Sequence, residues 1–282
     1  LEVLLDAGVQ VPDDRRRTIH LWRTSEINQL YGGNENLERL QRHDARFFNS
    51  CMMATALGAA TSDGLEDGRI VSGVGGQYNF VAMAHALDGA RSALLFRAVR
   101  EDAGKPQSNV RWNYGHTTIP RHLRDIYIDE YGIADLHGRN DEDCVIAMAA
   151  ITDARFQAEL LETAKRSKKL RSDFAAPERW RNNVPDILSA KLATFRRDGT
   201  LPDYPLGSDF TPVEQRLVKA LGWLRAETAT LPRKLSTLCG AVLAGKRTDT
   251  EALQRMALDR PANAGEWLYA RLVSRALSRT AG

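Results

Sequence analysis

With 282 residues, 43% of them hydrophobic, the chain can bury one large core or two smaller ones, which excludes a disordered protein. Its 39 basic and 36 acidic residues leave a net charge of +3, too near balance to indicate a nucleic-acid binder. Cys51, Cys144 and Cys239 are far apart and form no C-x-x-C pair, so neither a disulfide framework nor a zinc site is expected, and a reducing, cytoplasmic compartment is.

The chain opens on Leu1, not methionine, in a stretch that reads like the inside of a helix ending at Gly8. A fragment of a longer protein is therefore expected, with residues 1–44 as the end of a preceding segment. An exposed turn follows at Pro12 to Arg17, a short strand at Thr18 to Trp22, and a helix over Asn34 to Arg42 with Asn34 as cap. Ala45 to Ser50 has strand composition. The longest uncharged run, Phe47 to Ser62, contains Asn49, Ser50, Thr55 and Thr61 and is too short to span a membrane.

Arg69-Ile70-Val71 reads as a short strand leading into Ser72-Gly73-Val74-Gly75-Gly76-Gln77-Tyr78-Asn79-Phe80 and a helix reaching Leu87. A glycine turn at a helix start brings free backbone amides close to a ligand and favours an oxyanion or a phosphate there. It also serves as a tight connection with no ligand. A dinucleotide fingerprint is excluded, because Tyr78 and Phe80 stand where G-x-G-x-x-G needs glycine, and no phosphate-loop motif occurs.

Ser92 to Val99 is a buried-strand candidate, Glu101 to Ser108 a polar loop, Asn109 to Asn113 a further strand and Ile126 to Asp129 a clear one. Asp141 is the expected cap of a helix through Ile151; Thr152 or Asp153 restarts it, with Phe156, Leu160, Leu161 and Ala164 on one face. Alternating strands and helices predict an α/β domain over residues 45–170. Lys165 to Arg171 is the densest basic run, and it falls where cations favour a helix C-terminus. Residues 171–282 read as a helical extension. Thr211-Pro212-Val213-Glu214 is a capping box, followed by Val213, Leu217, Leu221 and Leu224 as an apolar stripe, and two helices are expected over Glu251 to Leu258 and Glu266 to Leu277.

The chemistry-bearing residues form few patterns. His116 and His122 flank a proline at a spacing that suits no metal, so no metal is expected. No G-x-S-x-G nucleophile elbow occurs. Glu130 follows a strand, where open α/β sheets place site residues, and Glu26 is a second candidate nucleophile or base; each reads first as a surface or hydrogen-bonding carboxylate.

Three stretches, in order, resemble one family. Gly73 to Phe80 is similar to the G-x-G-G-Q-x-D-F motif of the C-terminal domain of acetyl-CoA hydrolases and acyl-CoA:carboxylate CoA-transferases, such as the 4-hydroxybutyrate enzymes. Asp129 to Arg139 resembles that family's T-E-Y-G-V-A-D-L-R-G-K segment, and Ala147 to Leu160 its A-L-I-A-I-A-H-P-D-F stretch. The resemblance implies a CoA-transferase-type open sheet flanked by helices. It further implies CoA transfer from an acyl-CoA to a small carboxylate, or acetyl-CoA hydrolysis, through a glutamyl-CoA thioester. It makes the CoA thioester a substrate, with no permanently bound cofactor and no nucleic-acid or membrane partner, and a homodimer is expected. Gly75 and Gly76 become the oxyanion amides, and Asn49, Gly73, Gln77, Asn79, Glu130, Tyr131 and Gly132 the substrate- or CoA-binding set. The family's aspartate is Asn79 here, and its following arginine is Ala82. In the family the catalytic glutamate lies well before the glycine loop, which puts it upstream of Leu1; Glu26 is the substitute within the chain. The alternative is a non-catalytic CoA- or acyl-CoA-binding regulatory module.

Overall fold

The computed structural model describes residues 23–31, 33–102, 104–229, 231–243 and 249–280. The helix, turn and strand expected before Arg23 lie outside the described residues. Contacts divide the chain into two compact units, with the division between Thr194 and Phe195.

The first unit is mixed α/β, with open sheets flanked by helices. Its elements are α1 (Thr24–Asn28), α2 (Glu35–Gln41), β1 (Arg46–Ser50), β2 (Met53–Thr55), β3 (Ala60–Thr61), α3 (Gln77–Ala86), β4 (Arg91–Leu95), β5 (Val99–Asp102), β6 (Lys105–Ser108), β7 (Val110–Arg111), β8 (Ile126–Asp129), β9 (Gly132–Asp135), α4 (Asp141–Ile151) and α5 (Ala154–Arg166). Helix α6 (Pro185–Arg197) contains the division point. The main sheet has the order β1-β4-β8-β9. Its first three strands are parallel and β9 runs back along β8, pairing Asp129 with Gly132 and Ile126 with Asp135. A smaller sheet has the order β3-β2-β7, and β5 and β6 form a hairpin.

Sequence explains most of this placement. Tyr127 on β8 is fully buried, and Val145, Met148 and Ala149 of α4 and Leu160 and Ala164 of α5 join it in one core. The Tyr127 hydroxyl donates to the Gly58 carbonyl at 3.0 Å, so the large ring is buried without an orphaned polar tip. Asn140, rather than Asp141, caps α4 by accepting from the Asp143 amide, and Asp153 caps α5 by accepting from the Arg155 amide. The basic run begins at the end of α5, as helix electrostatics favour.

Two expected segments differ. Arg69 to Val71 is not a strand: it pairs with Asp63 to Leu65 only through one bridge, Ile70 to Gly64, flanked by hydrogen bonds from Leu65 to Arg69 and from Val71 to Asp63, and both Ile70 and Val71 are exposed. The expected polar loop from Glu101 to Ser108 is the β5–β6 hairpin, where Gly104 at φ 76° turns the chain between paired polar residues.

The second unit is helical: α7 (Pro212–Glu227), α8 (Leu231–Leu243), α9 (Thr250–Arg255) and α10 (Ala264–Thr280). The Thr211 capping box is present with both reciprocal bonds. Its core gathers Leu217 and Ala220 of α7, Ala252 and Leu253 of α9, and Ala270, Val273, Ala276 and Leu277 of α10. Leu221, expected on the apolar stripe, is 43% exposed, because the buried face of α7 is centred on Leu217 and Ala220. Among the described residues no helix is long and apolar enough to cross a membrane.

Candidate functional site

The parallel strands β1, β4 and β8 end on one edge of the main sheet, at Ser50, Leu95 and Asp129. Open sheets of this kind place ligands outside the carboxyl ends of their strands. Helix α3 starts at that edge, and two contacts hold it there. The Gln77 carboxamide, 5% exposed, donates from Nε2 to the Ser50 carbonyl at 2.9 Å, and Phe80 stacks on Phe47 of β1 with ring centroids 5.7 Å apart.

The glycine loop thereby presents a helix start with free donors. Gly75 adopts φ 58°, the left-handed region that glycine enters without strain. Gly76 is the cap residue of α3 and offers no side-chain oxygen. Among the described residues the amides of Gly75 to Asn79 find no acceptor. They are a concentrated set of N–H donors at the positive end of a ten-residue helix.

A cleft of about 480 Å³ opens against this loop, lined by Asn49, Ser50 and Cys51 after β1, Ser62, and the stretch Val71 to Val74 with Gly76 and Gln77. Asn49 Nδ2, Ser62 Oγ and Gln77 Oε1 are buried there without a hydrogen-bond partner. Orphaned buried polar atoms are costly in a folded protein, and three on one cleft fit a polar ligand that satisfies them. Burial pushes the Cys51 thiol up to about 12, so it stays protonated and is no nucleophile at neutral pH. A second cleft of about 570 Å³ shares Ser50, Cys51 and Met52 with the first; its walls include Met53, Leu65, Leu95 and Phe96, with Arg97 and Arg100. A polar pocket and an apolar one thus meet at the end of β1.

The sequence-predicted residues divide. Asn49, Gly73, Gly76 and Gln77 line one cleft, and Gly75 forms its turn. Asn79 lies half-buried on the first turn of α3, outside the lining. Glu130, Tyr131 and Gly132 line a separate cavity of about 380 Å³ with Trp180, Asn182 and Asn183. There the Glu130 carboxylate accepts from the Ala98 amide at 2.9 Å, and the Tyr131 hydroxyl donates to Asp153 at 2.9 Å. Both side chains are tied to the scaffold. Glu26 lies on α1, where it pairs with Arg23 at 2.7 Å and does not line the glycine-loop cleft. Its neighbour Asn28 nevertheless lies against Gly76, so α1 borders the loop. Ser62 was missed by sequence reasoning, since a lone serine before a turn carries no signal. Asp129 was missed as well. Burial raises its carboxyl to about 7, with the charge of Glu130 adding to the effect; the Tyr131 and Gly132 amides donate to its Oδ1, and Oδ2 is buried without a partner. Among the described residues no group of three or more potential ligands is placed to hold a metal ion.

Residues 13–164 match the family described as the acetyl-CoA hydrolase/transferase C-terminal domain. The chain belongs to this family. It is the family that the glycine loop, the Asp129 to Arg139 segment and the Ala147 to Leu160 segment resemble. No curated protein matches the chain. Among solved structures, RipA from Yersinia pestis is 23% identical over 51% of this chain and 31% of its own, with a TM-score of 0.43. The 4-hydroxybutyrate CoA-transferase from Porphyromonas gingivalis is 22% identical over 44% of this chain and 27% of its own, with a TM-score of 0.35. The chain spans about a third of the length of these structures.

Proposed function

We propose that this chain supplies the CoA-side half of an acyl-CoA transferase or hydrolase site. The glycine-loop amides stabilise the oxyanion that develops on the thioester carbonyl. The observation that carries this reading is the single cleft joining Asn49, the uncapped start of α3 and three orphaned polar atoms at the end of β1. Donors aimed at a charge that forms only in the transition state contribute a few kcal/mol each, roughly 3 for one well-placed amide.

The reaction that fits is a double displacement. A glutamate carboxylate attacks the thioester carbonyl, and the carbonyl electron pair moves to oxygen, against the amides at Gly75 and Gly76. Collapse of that intermediate expels the CoA thiolate and leaves a mixed anhydride. The thiolate then attacks the glutamyl carbonyl, releasing the first carboxylate and forming a glutamyl-CoA thioester. A second carboxylate repeats the sequence in reverse; water would hydrolyse the thioester. The neighbouring apolar cleft beside Met53, Leu95 and Phe96 suits the uncharged part of the thioester, and Arg97 at its wall suits a carboxylate or phosphate.

Among the described residues, those lining the glycine-loop cleft include no carboxylate. That favours a nucleophile contributed from outside the cleft and gives the binding-module reading its support. Both readings require acyl-CoA to occupy the cleft. Gly73 lines it, and a Cβ placed there meets no atom within 4 Å, so Gly73→Val adds bulk at an open position of the cleft. Titration with acetyl-CoA is expected to show binding by the wild-type chain and at least tenfold weaker binding by Gly73→Val at unchanged melting temperature. Equal binding by both would remove the glycine-loop cleft from the account.

A further inference from the structure

We infer a second anion site, on the opposite edge of the sheet from the glycine loop, built to take a small molecule carrying two or more phosphate charges. A pocket of about 480 Å³ lies there, between the last turn of α3, the 3-10 turn Arg121–Leu123 and the chain after β9. Its position follows from the topology: β9 runs back to the end of the sheet where β8 begins, and His137 to Arg139 follow it. His85, in the last turn of α3, faces the pocket, whereas Gly76 precedes the first turn. Nine residues of helix separate them, about 13 Å at 1.5 Å per residue.

The charge in this pocket is one-sided. The guanidinium groups of Arg121, Arg124 and Arg139 line it together with the rings of His85, His122 and His137; Asp141 is the carboxylate among the lining residues, Asp125 stands 3.7 Å from the His137 ring, and His85 Nε2 lies 3.0 Å from the Leu123 carbonyl. The Asp141 carboxylate is already engaged: Lys169 holds it at 2.7 Å and Arg124 at 3.4 Å, while Arg121 stands 3.9 Å away. Among the described residues the Arg139 guanidinium and the His122 ring have no partner, and the Arg121 guanidinium has only its distant contact with Asp141. The His85 and His137 rings stack with centroids 5.9 Å apart. Like charges gathered in a concavity repel one another, and a bound polyanion relieves that repulsion. Guanidinium groups match phosphate oxygens in paired hydrogen bonds. The cations converge on a hollow instead of lying along a strip, and no aromatic ring among the lining residues offers a base-stacking platform beyond the imidazoles, so a small phosphorylated molecule fits better than RNA.

The phosphate groups can belong to a free polyphosphate or nucleotide, or to the nucleotide end of CoA. Both offer the same chemistry, and competition separates them. Calorimetric titration of the whole chain with inorganic pyrophosphate at low salt is expected to show saturable binding. Arg121→Ala/Arg139→Ala, which removes two exposed side chains, is expected to weaken it at least tenfold at unchanged melting temperature. Gly73→Val is expected to bind pyrophosphate normally, so failure of this inference is separable from failure of the glycine-loop reading. Acetyl-CoA that leaves the pyrophosphate titration unchanged assigns a separate phosphorylated ligand; competition assigns the nucleotide end of CoA to the pocket. The inference is overturned by no binding at millimolar pyrophosphate, or by equal binding in the double variant. It is likewise overturned by RNA binding that the double variant loses and pyrophosphate does not compete.

Discussion

The three glycines of the loop sit in three different environments, and alanine at each should give a graded response. At Gly75 the backbone is at φ 58° and an added Cβ meets nothing within 4 Å. The only penalty is conformational. Holding an L-residue in the left-handed region costs about 1–2 kcal/mol, offset by about 0.4–1 kcal/mol from the less flexible unfolded chain. The net loss is about 1 kcal/mol, which lowers the melting temperature by roughly 2–4 °C for a unit of this size. At Gly73, where the backbone is not left-handed and space is open, only the unfolded-state gain applies, so Gly73→Ala should be neutral or slightly stabilising. At Gly76 a Cβ would lie on the Asn28 carboxamide, 2.9 Å from its Cγ, and 3.1 Å from Phe80 Cε2. Asn28 must then swing away, at a cost of about 1–3 kcal/mol. Thermal unfolding of the three variants tests the order Gly73, Gly75, Gly76 from least to most destabilised. Gly75→Ala as stable as Gly73→Ala would refute the left-handed turn and with it the aim of the amides.

Two further outcomes follow from buried charge. The Asp129 carboxyl titrates near 7 in the folded state, well above its unfolded value, so the folded protein binds the extra proton between about pH 4 and 7 and loses stability as pH rises through that window. Asp129→Asn keeps the Oδ1 acceptor for the Tyr131 and Gly132 amides, and its denaturant midpoints should fall less steeply with pH than those of the wild type; parallel slopes would contradict the buried carboxyl. At the other end of the sheet Arg91 donates to Asp125 and Asp135, each at 2.7 Å, and Asp125 is 4% exposed. Arg91→Ala leaves that carboxylate buried without its cation, at about 3 kcal/mol. Adding Asp125→Asn should recover part of the loss in a double-mutant cycle, and strict additivity would show that the pair does not couple.

How far these features could be read from the chain depended on whether the signal was local. Ile126 to Asp129 and the Thr211 capping box are set by neighbouring residues, and each stands where the pattern placed it; the helix after the glycine loop is present too but begins at Gln77, before the apolar run from Phe80, and the cap of the Asp141 helix shifts by a single residue to Asn140. Ile70 and Val71 have strand composition, but their pairing stops at a single bridge with the turn segment Asp63 to Leu65, and the extent of pairing is a tertiary fact that composition does not carry. The hairpin of Val99–Asp102 and Lys105–Ser108 was hidden because all its residues but Val99 and Pro106 are polar, which leaves no alternating apolar face. Helices α6 and α8 were overlooked although Pro185 opens the first, since prolines read as interruption as easily as helix starts. In the site, Asn49 and Gln77 are 28 positions apart and meet because β1 and α3 pack together; the family resemblance supplied that link, and no local pattern does. Glu130 shows the converse: its place after a strand suggested a site, while the structure gives it a backbone amide to hold.

The most direct test is to trap the proposed glutamyl-CoA thioester. The protein is incubated with acetyl-CoA, reduced with borohydride and mapped by mass spectrometry, beside the same protein carrying Gly73→Val. Reduction marked on a glutamate in the unsubstituted protein, and lost or strongly diminished with Gly73→Val, is the predicted result. Equal labelling in both proteins, or acetyl-CoA turnover with no glutamate ever marked, would contradict a glutamyl-CoA intermediate formed against the glycine loop.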